Sequence, residues 1–85
     1  MKKEAYVEAL AEVAQETCME SLKEKDHDLN LTGECKERYD FLAEQFILTY
    51  IRGKSLFSIL DDLESGKFYN TWLAVLSLNG ISTEH

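Results

Sequence analysis

The chain contains no proline, so nothing forces a break inside an element, and its four glycines must punctuate the fold. It contains only two cysteines, Cys18 and Cys35. That is too few for a disulfide scaffold, and a reducing, cytoplasmic setting is the default that follows. A Cys18–Cys35 disulfide across a helical hairpin is conceivable, but two buried thiols are the expectation. Histidine is confined to His27 and His85. With so few nitrogens and thiols there is no zinc-ligand spacing, and no nucleophile, histidine and acid form a catalytic set. The sequence therefore points away from an enzyme and names no cofactor. Bases are scarce as well. Nine stand against 16 acids, a net charge of −7, which disfavours nucleic acid and anionic membranes and favours a basic partner. Long apolar runs are missing, so no segment is expected to span a membrane. Lys2 and Lys3 open the chain as a signal peptide would, but Glu4, Glu8 and Glu12 occupy the place of its apolar region.

What is present is an ordinary globular mixture. Hydrophobic residues make up 45% and charged residues 29% of 85 positions, which suits one small folded domain spanning residues 1–85 and not a disordered chain. Periodicity predicts an all-α helical bundle with helices at about 3–25, 33–52, 56–64 and 68–78 and a frayed tail at 81–85. The first two form a long antiparallel hairpin, and the two short helices pack against it. On the first helix, Tyr6, Ala9, Leu10, Val13, Ala14, Thr17 and Cys18 share one face. On the second, Tyr39, Leu42, Ala43, Phe46 and Tyr50 do, and its end, Phe46 to Ile51, is apolar almost all round and expected to be buried on several sides. Leu56, Ile59, Leu60 and Leu63 form the apolar face of the third. Thr32 and Ser55 stand as N-caps, and Gly53, Gly66 and Asn79-Gly80 as stops.

Glu4, Glu8, Glu12, Glu16, Glu20 and Glu24 recur at every fourth residue of the first helix. Each step rises about 6 Å and turns about 40° further round, giving a winding negative ridge about 30 Å long. Like charges at this spacing repel by a few tenths of a kcal/mol per pair, about 0.2–0.5. Between Glu4 and Glu20 there is no base to offset them. Regularly spaced negative charge is what a basic groove recognises, including one built for a nucleic-acid backbone. The plainer alternative is a solvated face, since glutamate is a good surface helix former.

The chain is also asymmetric. The first 45 residues hold 12 of the 16 acids, whereas Phe68 to Thr83 contain no charge at all. Phe68, Tyr69, Trp72 and Leu76 there serve either as the central core or, in part, as an apolar interface for a partner or a homodimer.

The loop between the long helices offers another feature. Asp26, Asp28, Asn30 and Glu37 occupy the first, third, fifth and twelfth positions of a helix–loop–helix calcium site, and the segment resembles an EF-hand loop. It departs from that pattern at Leu31, where glycine makes the sharp turn, and at Gly33, where an apolar residue is usual. Gly53-Lys54-Ser55 imitates the end of a phosphate-binding loop, but Leu48 stands where the upstream glycine belongs and no strand precedes it. The segment 68–78 has no internal base with which to read a nucleic acid.

The function these features favour is a small acidic protein-binding module that occludes a basic surface of another protein. Its contact residues would be Glu4, Glu8, Glu12, Glu16 and Glu20, with Tyr69 and Trp72 as apolar anchors. Inhibitors, immunity proteins and viral counter-defence proteins share this size and charge. An assembly or adaptor role through the apolar C-terminal helix is the alternative, and a degenerate calcium-binding helix–loop–helix is the next.

Overall fold

The computed structural model describes the backbone of residues 2–29 and 31–81 and the side chains of 8–29 and 31–81. These residues form four helices, α1 (Lys2–Lys25), α2 (Glu34–Ile51), α3 (Leu56–Ser65) and α4 (Lys67–Leu78), with no strand among them. Every helix end falls within one residue of its expected place.

The core is built from rows that advance by four residues. α1 buries Ala14, Cys18 and Leu22, α2 buries Tyr39, Ala43 and Ile47, and α4 buries Phe68, Trp72 and Leu76. Such rows are the ridges by which helices interdigitate. α1 packs along α2 as the hairpin, and α3 packs against both α1 and α4. α2 and α4 meet through aromatic rings. Phe46 lies 5.2 Å, centroid to centroid, from both Phe68 and Trp72. Tyr39 meets Trp72 edge-on at 5.3 Å, and Tyr50 meets Phe68 edge-on at 5.0 Å. None of these tilted and edge-on arrangements is a face-to-face sandwich, which the charge distribution of the rings disfavours.

The apolar face expected for α1 is corrected along its length. Ala14 and Cys18 are buried and Leu22 joins them, but Ala9, Leu10 and Val13 face solvent and Thr17 is half-buried. The side chain of Tyr6 lies outside the described residues. At about 100° per residue Ala9 lies about 180° and Val13 about 140° round the helix from Cys18, the middle of the buried row, so both turn away from the neighbouring helices. The molecule measures 45 Å along its longest axis against 26 and 20 Å across.

Expected burial also gives way elsewhere to the outward faces of the helices. At the end of α2, Ile47 is buried and Phe46, Tyr50 and Ile51 partly so, but Leu48 and Thr49 face solvent, against the expectation of burial on several sides. Leu60 on α3 is exposed too. The two thiols differ. Cys18 is buried, which pushes its pKa up to about 11, while Cys35 is exposed, contrary to the expectation of two buried thiols, and both are free.

The helix ends use several devices. Ser55 caps α3, its hydroxyl accepting from the Ser58 amide at 3.1 Å. Thr32 does not cap α2. The N-cap is Gly33, with no side-chain bond, and Glu34 and Glu37 in the first turn meet the positive end of the helix dipole. At the end of α4 the Gly80 amide donates to the Ser77 carbonyl at 3.1 Å and the Ile81 amide to that of Leu76 at 3.0 Å. This is a Schellman closure, in which Gly80 takes φ 73 and Ile81 folds back into the core beside Leu76. Ile81 is thus buried and not part of a frayed tail; residues 82–85 lie outside the described residues.

Gly66 both ends α3 and opens α4, at φ 87. A Cβ there would meet nothing nearer than the Asn70 amide nitrogen at 4.0 Å, so the cost of a side chain is conformational and not steric. Gly66→Ala is expected to lower stability by about 1–2 kcal/mol in urea unfolding, with the helix content of the folded state unchanged.

Candidate functional site

Asp26 follows directly on the last residue of α1, and its amide continues the helical bonding to the Leu22 carbonyl at 2.8 Å. Its side chain turns inward and is buried. One oxygen, Oδ2, accepts from the Tyr39 hydroxyl of α2 and from the Trp72 indole Nε1 of α4 at 3.0 Å. The other, Oδ1, accepts from the Tyr69 hydroxyl, also of α4. A buried carboxylate is costly unless hydrogen-bonded, and here both oxygens are satisfied by three donors from two helices. Lys25 places its ammonium 5.0 Å from the centre of the Tyr69 ring. A cleft of about 270 Å³ opens beside this cluster, reaching Asp26 and Tyr39 between Lys23, His27 and Lys36.

This arrangement keeps the described acids of the EF-hand-like loop apart. Asp26 is committed to its three donors, Asp28 pairs with His27 at 3.0 Å in solvent, and Glu37 is exposed on the first turn of α2. Asn30 lies outside the described residues. Among the described residues no three histidine, cysteine, aspartate or glutamate side chains converge on a metal position. The same arrangement corrects the reading of Trp72 as an anchor for a partner. Trp72 is fully buried, and Tyr69 is partly buried with its hydroxyl spent on Asp26.

A smaller cluster sits at the other end of α2. Asp62 accepts from the Tyr50 hydroxyl at 2.7 Å and from Lys54 at 3.2 Å, and Lys54 lies 3.7 Å from the centre of the Tyr50 ring. The Tyr50 hydrogen bond, joined by Lys54, holds the Asp62 carboxyl below its ordinary value.

The acidic row takes its place from the same register as the core. Glu12, Glu16 and Glu20 each stand two residues before a buried residue, Ala14, Cys18 and Leu22 respectively. Two residues turn a helix by about 200°, so burying one row sends the other to the opposite side. Glu8, Glu12, Glu16, Glu20 and Glu24 are all exposed, and among the described residues none forms an ion pair. The side chain of Glu4 lies outside the described residues. Three of the nine bases, all exposed residues, meet groups of the protein itself: Lys25 over Tyr69, Arg38 donating to the Asn79 carbonyl, and Lys54 on Asp62. Among the described residues none of these three bases meets a carboxylate of α1.

No protein-family model matches the chain, no curated protein matches its sequence, and no solved structure matches its fold.

Two outcomes follow from the buried clusters. Asp26→Asn replaces one acceptor oxygen by an amide donor facing donors already present. It is expected to cost about 2–4 kcal/mol, measurable as a lowered urea midpoint. A midpoint within error of the unaltered protein would contradict the role of Asp26 in joining the helices. Alkaline pH acts through the phenols. Burial first, then the carboxylate partner, pushes Tyr50 and Tyr69 up to about 12 from an ordinary 10, and raises Tyr39 as well. The unfolded chain therefore loses these protons before the folded one does. Stability holds below pH 10 and falls as pH rises from 10 towards 12, which unfolding curves across that range check directly.

Proposed function

We propose that this protein is a small acidic binding module whose outward face of α1 occupies a basic surface on another protein. The observation that supports this reading is the exposed row Glu8, Glu12, Glu16 and Glu20, which has no ion-pair partner among the described residues while bases elsewhere serve the fold. Repulsion along such a row costs about 0.2–0.5 kcal/mol per adjacent pair, and a cationic surface relieves it on contact. The mechanism is electrostatic and steric occlusion, with no bond made or broken. Complementary charge steers the encounter, and salt weakens it because screening at physiological ionic strength acts over about 8 Å. Glu4 belongs to the same row by sequence. Trp72 drops out of the contact set because the core holds it, and Tyr69 because its hydroxyl is spent on Asp26.

The test is capture from a lysate at low and moderate salt, with unaltered protein and the variant Glu8→Lys, Glu12→Lys, Glu16→Lys as parallel baits. A basic protein retained by the first, lost by the second and lost as salt rises is the expected result. Circular dichroism should show the variant still helical. Equal recovery on both baits would sink the proposal.

A further inference from the structure

The outward side of α1 carries more than charge. Val13 is 49% exposed and Leu10 36%, and with exposed Ala9 they make an apolar strip on the side of α1 turned away from the buried row. On a helix surface the neighbours of Val13 are Ala9, Leu10, Glu16 and Thr17. Thr17 bonds its hydroxyl back to the Val13 carbonyl at 2.7 Å, so it presents no free donor beside the strip. The strip therefore runs along one edge of the carboxylate row, sharing its direction and helical repeat.

We infer that this strip and the adjoining glutamates together form a docking face for a cationic amphipathic helix. The inference rests on the reading of α1 as the surface for a basic partner and adds what kind of basic partner fits. Charge complementarity selects the occupant. Glu12 and Glu16 border the strip on one side, with Glu8 further along the same row and no base between Glu4 and Glu20, so the segment laid on it must bring lysine or arginine. The apolar side chains reward a partner that also carries leucine-like groups at helical spacing, because two helices meeting along a line match rows of three and four. A purely polybasic strand would leave Leu10 and Val13 uncovered. A second copy of the chain would bring its own carboxylates against these, in a molecule that already carries −7.

The experiment uses two fluorescent helical peptides of about 18 residues with identical lysine content, one with leucine and one with alanine along the apolar face. Binding to the full chain is followed by anisotropy. The leucine peptide should bind about tenfold more tightly than the alanine peptide, the equivalent of removing one to two buried methylenes. Leu10→Gln with Val13→Gln should erase that difference while both peptides still bind. Val13→Gln alone, at the more exposed position, keeps the test valid should the double variant lose helix content. Equal affinity of the two peptides for the unaltered chain overturns the apolar strip but leaves the acidic face standing. Failure of both peptides to bind overturns both readings. Sedimentation showing a dimer that Val13→Gln dissolves would assign the strip to a second copy and overturn the inference.

Discussion

The carboxylate of Asp26 is the point on which the bundle closes. It stands at the end of α1 and takes hydrogen bonds from α2 and α4 at once, so three of the four helices share one acceptor group. Apolar packing alone tolerates sliding, since methyl groups have no fixed partners. Hydrogen bonds to a buried carboxylate are directional and costly to lose, so they select one register among those that packing permits. With Tyr39 and Trp72 set against Asp26, the rings of Phe46 and Phe68 fall into stacking distance of their neighbours, and the rows at Ala14–Leu22, Tyr39–Ile47 and Phe68–Leu76 interlock.

That register has a consequence on the outside. Turning Ala14, Cys18 and Leu22 inward turns Glu12, Glu16 and Glu20 outward, because the two rows lie on opposite sides of one helix. The interior and the proposed binding face are thus two views of a single helical phase. Three cations that might have offset the row lie on Tyr69, on the Asn79 carbonyl and on Asp62.

The helices and their stops were legible in the sequence because their signals are local. Glycines at 53, 66 and 80, a capping Ser55 and rows of apolar residues act over one or two turns. The acidic row was legible for the same reason, as a spacing of four along one helix. Where the reading went astray, the deciding contact was distant. Val13 and Leu22 look equally suited to the apolar face of α1, and only the side from which the neighbouring helices approach decides that Leu22, in line with Ala14 and Cys18, is covered and Val13 is not. Asp26 reads as a loop acid with cation-ligand spacing because Tyr39, Tyr69 and Trp72 lie 13, 43 and 46 residues away. One signal could have found the cluster: three aromatic residues with polar hydrogens in apolar rows require a buried acceptor, and an acid at a helix end is a natural one.

The central claim is that the outward carboxylates of α1 are uncompensated in the free protein. It is tested most directly by urea unfolding of the unaltered chain and of Glu12→Lys at low and at high sodium chloride. Lysine at position 12 converts two repulsive contacts, with Glu8 and Glu16, into two attractive ones. The variant should be more stable at low salt by about 0.5–1.5 kcal/mol, and the gap should close as salt screens the row. A variant no more stable than the unaltered chain at low salt, or a gap indifferent to salt, would mean that the row is already neutralised and would contradict the account.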